Sequence, residues 1–194
     1  MELTHIGRLS ARKLSKLSGL DDRTLSVWSL LLLGFAVSLL HTTLNYSLGL
    51  PGHHGLELMT AMLFARLVAK ERWATSILAL GTIGGDLVLA TDFLHNLKHV
   101  PLYLVAGGLV DGSHALLRDR LRLLPFAALI GGAVHLTKPV LMLAVAAITG
   151  AGFGFMRHGD LFPLVTHFSF GAIGAICGAL LARAVLERQK NHNT

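Results

Sequence analysis

The residues best suited to chemistry are acids, histidines and one lysine that stand inside long apolar stretches. Ionisable side chains are costly in lipid, and where they occur they usually serve a function. Lys138 lies in the middle of a long apolar run, directly before Pro139 and one helical turn after His135. Proline removes a helix hydrogen bond, and irregular backbone at that depth is tolerated where it lines a cavity. We therefore predict that Lys138 handles a ligand or ion; the alternative is a salt bridge to Asp86 or Asp111 that only joins helices.

Histidine is frequent, with 11 in the chain, and most of them fall near one end of the apolar segments. His53, His54 and Glu57 open one segment, and helical spacing places them on one face. Imidazole and carboxylate suit zinc, nickel, cobalt or iron, although a full ligand motif such as HExxH is absent from the sequence. Three interpretations stay open: interfacial histidines with polar partners, direct ligand contact, or a metal site. His41 and His167 are candidates for a bis-histidine haem.

Polar side chains from several apolar segments form the predicted binding site. The predicted ligand-binding residues are His41, Asn45, His53, His54, Glu57, Asp86, His135, Lys138 and His167. The candidate metal ligands among them are His53, His54 and Glu57. The cofactor itself stays unassigned, with a transition metal and haem as the two options.

The elements that position these residues follow from composition. The chain has 194 residues, of which 53% are hydrophobic and 14% charged, and its mean hydropathy is +0.60. An average soluble domain is about 25% charged. A soluble globule, a disordered chain and a disulfide-rich secreted module are therefore excluded. The single Cys177 cannot form an intramolecular disulfide or a thiolate zinc site, and we interpret it as a packing residue.

Apolar segments of about 20 residues are long enough to cross a bilayer as helices. Six are present, at 26–48, 51–69, 73–93, 99–117, 123–149 and 162–186. The predicted fold is therefore all-α, a polytopic membrane bundle of six transmembrane helices. Its domains are a basic N-terminal segment at 1–25, the membrane domain at 26–186 and a tail at 187–194.

Basic residues predict the orientation of the bundle. Most of the 17 lysines and arginines precede the first segment, follow the last, or lie in the second and fourth turns. By the positive-inside rule both termini are cytoplasmic, in the inner (plasma) membrane. This placement explains the sequence pI of about 10.0 without nucleic acid. A stripe of basic residues interleaved with aromatics, which would bind nucleic acid, is absent from the sequence.

Small residues recur at a spacing of four in several segments, a pattern that lets helix backbones approach closely. The pairs are Gly34 and Ser38, Gly81 and Gly85, Gly108 and Gly112, and Gly174 and Gly178. These faces either pack within the bundle or dock a partner membrane protein, and the face of Gly34 and Ser38 is the docking candidate. Asp111 shares a face with His114, two turns before Arg118. It either joins helices or couples the chain to cytoplasmic machinery, so we add it to the candidate docking residues.

Six segments in under 200 residues, with binding-type side chains near one end, resemble the substrate-capture (S) components of energy-coupling-factor transporters. The run Pro101-Leu-Tyr-Leu-Val-Ala-Gly-Gly-Leu-Val-Asp111-Gly is similar to the glycine-rich fourth helix of several such proteins. The face from Gly34 to Ser38 is similar to their docking motif, without its usual alanines. The resemblance implies a ligand site near the outer face, a membrane coupling protein and two cytoplasmic ATPases. Position 2 is Glu2, whereas the nickel and cobalt members carry a histidine there.

The leading hypothesis is a substrate-capture subunit of a transporter for a small nutrient, which is vitamin-like, anionic or metal-bearing. Such a chain is not an enzyme, and the sequence contains no P-loop, nucleophile elbow or kinase signature. One alternative is a metal- or haem-binding membrane protein in redox or assembly. Another is a proton-coupled carrier or membrane enzyme that uses Asp86, Asp111 and Lys138. The expected partners are the lipid bilayer and a small solute.

Overall fold

The computed structural model describes residues 21–44, 50–89, 99–150, 159 and 161–191. Every regular element in these ranges is helical. The α-helices are α1 (Asp22–Leu44), α2 (His54–Val68), α3 (Ala74–Leu89), α4 (Val100–Leu117), α5 (Leu124–His135), α6 (Thr137–Thr149) and α7 (Leu161–Asn191). A 3-10 turn, Arg118–Arg122, joins α4 to α5. The predicted basic segment up to residue 20 and the candidate ligand Asn45 lie outside the described residues.

Four stretches of helix are long and apolar enough to cross a membrane. They are Asp22–Thr43, Val100–Arg122, Leu124–Thr149 and Leu161–Asn191. Helix α3 is apolar but shorter, and α2 has 15 residues. Many large apolar side chains on the long helices are exposed, among them Leu32, Leu116 and Ile148. The prediction of an all-helical membrane protein is confirmed at this level, whereas six crossings and two cytoplasmic termini remain predictions.

Helix α2 forms the centre of the bundle. Its side chains Met59, Met62 and Leu63 are fully buried. Small residues let α7 lie close against it, because a Cβ at Gly174 would be 2.6 Å from the carbonyl oxygen of Leu56. A membrane interior offers little hydrophobic drive, so this close approach supplies the packing that holds α2.

Helices α1 and α3 form a second tight pair through their small-residue faces. A Cβ at Gly34 would overlap the carbonyl oxygen of Leu78, and a Cβ at Gly81 would overlap that of Leu31. Ser38, on the same face of α1, is 1% exposed. The face of Gly34 and Ser38 is therefore covered by the chain's own α3 and leaves no free surface for a docking partner. The first turn of α1 is capped by Asp21, whose carboxylate accepts the Thr24 N–H.

The apolar run at 123–149 is broken into α5 and α6 at Leu136. Pro139 has no N–H to donate to the preceding turn, so one helix hydrogen bond is missing there; Leu136 itself keeps helical dihedral angles and donates to Gly132 O at 3.1 Å. Of the residues of α6, all of which the structure describes, Pro139 alone is buried. The helix ends at Gly150 in the left-handed conformation, with φ of 70°, which glycine adopts without strain. Helix α6 is thus a half-helix attached loosely to the bundle.

Candidate binding cavity

All seven described helices contribute to the wall of one cavity with a volume of about 70 Å³. Seven of the predicted ligand-binding residues line it: His41, His54, Glu57, Asp86, His135, Lys138 and His167. Four further polar side chains line the cavity that were not predicted from the sequence: Thr82, His99, Tyr103 and Thr137. Tyr103 is one of two tyrosines in the chain and stands in an apolar run, a signal that could have identified it.

Asp86 joins three helices at the cavity wall. The hydroxyl of Ser38 on α1 donates to its carboxylate, and Tyr103 on α4 forms a second hydrogen bond with it. Carboxylates in low-dielectric surroundings require such donors, because an unsatisfied buried charge is costly. Ser38, which was predicted as a docking residue, therefore serves the interior of the bundle.

A cluster of three imidazoles and one carboxylate lies at the cavity, with His41, His54 and Glu57 in its wall and His53 directly behind them. His41 Nδ1 lies 3.5 Å from Glu57 Oε2. The ring of His54 lies between its two neighbours, with centroids 3.8 Å from His41 and 3.9 Å from His53. The buried Nδ1 atom of His54 has no hydrogen-bond partner among the described residues. One position for a hydrogen bond is thus left open at this wall.

Three imidazoles are oriented by backbone carbonyls. His135 Nε2 donates to Gly52 O at 3.0 Å, His167 Nδ1 to Pro163 O at 2.7 Å, and His53 Nδ1 to Leu50 O at 2.8 Å. A carbonyl oxygen can only accept, so each of these nitrogens carries the hydrogen. In a neutral ring the other nitrogen is then an acceptor. His135 and His167 stack with centroids 5.1 Å apart.

Lys138 lies in the first turn of α6, directly after the break at Leu136. It lines the cavity and also an adjoining space of about 190 Å³, which is bounded on its far side by Leu50 and Pro51. His53 lines this adjoining space and not the inner cavity. The two spaces share Lys138 and its neighbours Gly52, His54 and His167 in their walls, so these side chains form the partition between them.

The described residues do not form a metal centre. No group of three or more histidine, cysteine, aspartate or glutamate side chains among them is arranged to hold a metal ion. The candidate ligands His53, His54 and Glu57 lie near one another, and the hydrogen bond from His53 Nδ1 to the Leu50 carbonyl leaves its Nε2 as an acceptor. The haem candidate His167 stacks on His135. The described geometry therefore supports neither the metal nor the haem interpretation.

Asp111 belongs to a separate buried network at the other end of the bundle. It pairs with Arg66 at 2.9 Å, and both side chains are at most 4% exposed. Its two oxygens also accept the Thr75 N–H at 3.2 Å, the Ser76 N–H at 2.9 Å and the Ser76 hydroxyl at 2.8 Å. Asp111 belongs to α4, but its carboxylate lies at the N-terminus of α3. There it accepts the first N–H groups of α3 and so caps that helix. The salt bridge from Lys138 to Asp111 is therefore not formed, and Asp111 has no surface for a docking partner.

No protein-family model, curated protein or solved structure matches the chain.

Proposed function

We propose that this chain is the substrate-capture subunit of a membrane transporter, and that it holds a small polar solute in the cavity described above. The observation that carries the proposal is the convergence of polar side chains from all seven described helices inside an apolar bundle. Polar groups at membrane depth are expensive and mark solute or ion pathways. A purely structural network would not need an open space at its centre.

The size of the cavity limits the solute. Pockets for drug-sized ligands begin at about 300 Å³, whereas this cavity measures about 70 Å³. In the described conformation it admits a solute of a few non-hydrogen atoms. A vitamin-sized molecule would require the helices to separate.

The proposed route starts at the end of the bundle formed by residues 50–53. The adjoining space of about 190 Å³ lies there, next to the cavity, and the partition contains His54, Lys138 and His167. Arg66 and Arg118–Arg122 mark the opposite end, which the positive-inside rule makes cytoplasmic. The solute would thus enter from outside, with both termini in the cytoplasm. By resemblance to the energy-coupling-factor type, a membrane coupling protein and two ATPases would drive its release.

Filling the cavity tests the proposal. Ala106 on α4 lines the cavity and is 6% exposed, so Ala106→Leu places three further carbon atoms in it. Ala133 on α5 is exposed, and Ala133→Leu is the matched control. Extracts of protein purified in nanodiscs are analysed by mass spectrometry for a bound small solute. We expect the wild type and Ala133→Leu to retain it and Ala106→Leu to lose it.

Lys138→Met provides a second variant that changes charge and keeps the side-chain length. We expect retention to change, falling for an anionic solute and rising for a cationic one, because Lys138 lines the cavity. Equal retention in Ala106→Leu and the wild type would contradict the proposed function.

A further inference from the structure

The hydrogen-bonding character of the cavity indicates which solute it takes. His135 and His167 each donate one ring N–H to a backbone carbonyl, of Gly52 and Pro163 respectively. Both rings are largely buried, where the neutral form is favoured because an uncompensated charge is costly. Each ring therefore presents a nitrogen lone pair to a donor. The two cavity carboxylates, Glu57 and Asp86, add further acceptors.

The charges of the described lining residues also favour a cationic solute. Glu57 and Asp86 are acidic, and Lys138 is the basic residue among the described residues of the lining. Counting Glu57, Asp86 and Lys138 alone, the wall carries one negative charge in excess. A cation in the cavity would offset it, and buried charges are stable when they are paired.

The open position at His54 suggests a ligand atom at that point. Its Nδ1 atom is buried and has no partner among the described residues, which is rare for a polar atom in a folded protein. The neighbouring rings of His41 and His53 do not supply one, although they contact His54. His54 lines the cavity, so a donor that enters it meets this ring, and a turn of the ring makes the buried nitrogen available as an acceptor.

We propose that the solute is a small cation with several N–H donors, of the size of ammonium or methylammonium. This inference rests on the proposed function and names its substrate class. Such a cation donates to imidazole lone pairs, offsets the excess carboxylate and fits about 70 Å³, because a cavity of about 10–15 Å³ on this measure already holds one water. A metal ion is the rival cation, but the described side chains do not form a metal-binding group.

The test measures thermal unfolding of the purified full chain in nanodiscs at constant ionic strength. Ammonium, methylammonium, tetramethylammonium, sodium, zinc and nickel chlorides are compared over a range of concentrations. At about 100 times the Kd of a binding cation, the Tm should rise by roughly 5–10 °C. We expect saturable rises with ammonium and methylammonium, and none with tetramethylammonium, which has no N–H.

Variants then locate the effect. Glu57→Gln and Asp86→Asn each remove one cavity carboxylate, and we expect each to abolish the rise with methylammonium. Asp119→Asn, at a carboxylate that is 92% exposed, is the control and should keep it. If Glu57→Gln and Asp86→Asn do not fold, Ala106→Leu replaces them and should abolish the rise by filling the cavity.

Two results would overturn the substrate class and leave the proposed function standing. One is stabilisation by zinc or nickel without stabilisation by the amines. The other is a neutral or anionic solute found bound to the wild type by mass spectrometry. The absence of every bound solute, together with no response to any cation, would overturn both.

Discussion

Asp111→Asn should strongly destabilise the protein, because this carboxylate connects α2, α3 and α4. It accepts hydrogen bonds from Arg66 and Thr75 on one oxygen and two from Ser76 on the other. Asparagine keeps one acceptor and turns the other into an NH₂ group that faces existing donors. Arg66 then remains as a buried cation without its counter-charge.

The expected loss follows from that geometry. Removing one partner of a buried ion pair costs about 3–5 kcal/mol, against a total stability of about 5–15 kcal/mol for a folded domain. Asp119→Asn is the control: its side chain is 92% exposed and lies 3.7 Å from Arg122. Exposed pairs contribute about 0–1 kcal/mol.

Unfolding by increasing mole fractions of SDS in mixed micelles, followed by circular dichroism, measures both variants. The double variant Arg66→Met with Asp111→Asn should recover part of the loss, because no charge is then left buried alone. The reasoning is refuted if Asp111→Asn unfolds together with Asp119→Asn, or if the double variant is less stable than Asp111→Asn.

Two further predictions concern packing and orientation. Gly34→Ala should cost about 1–3 kcal/mol in the same assay, because its Cβ overlaps the backbone of α3. Gly108→Ala meets open space and should be neutral or stabilising by up to about 1 kcal/mol; equal losses in both would contradict the packing described. In a Cys177→Ala background, a membrane-impermeant thiol reagent applied to cells should label Leu50→Cys, and Arg120→Cys only after permeabilisation. The reverse pattern would show that the proposed orientation is wrong.

Sequence alone predicted the helices well, for a physical reason. Lipid offers no hydrogen bonds to the backbone, so a long apolar run must pair its own N–H and C=O groups by forming a helix. Each of the six apolar segments contains helix, and Pro139 predicted the interruption found at Leu136. The boundaries were less certain, since α2 begins at His54 and ends at Val68 within a segment predicted at 51–69.

Tertiary partners could not be derived in the same way. The sequence predicts that Arg66 lies in an exposed basic turn with Lys70 and Arg72. In the structure its side chain is buried against Asp111. That pairing depends on how α2 and α4 are rotated, which hydropathy does not encode. The small-residue faces of the different helices have the same sequence pattern. The pattern therefore does not predict that α1 pairs with α3. The charged cavity residues were found because charge in an apolar run is conspicuous, whereas Tyr103 was missed because its side chain is uncharged and its hydrogen bond to Asp86 depends on the packing of α3 against α4.

The central position of α2 has a consequence for how the chain enters the membrane during synthesis. This helix has 15 residues, and it contains Arg66, whose acidic partner is made 45 residues later. Its closest packing partner, α7, is the last of the described helices to be synthesised, and Thr60 donates to Gly174 O across that contact at 3.0 Å. When α2 leaves the ribosome, neither its charge nor its packing surface has a partner. We therefore expect α2 to remain at the translocon or the membrane surface until α7 has been made, so that it is integrated later than its place in the sequence suggests.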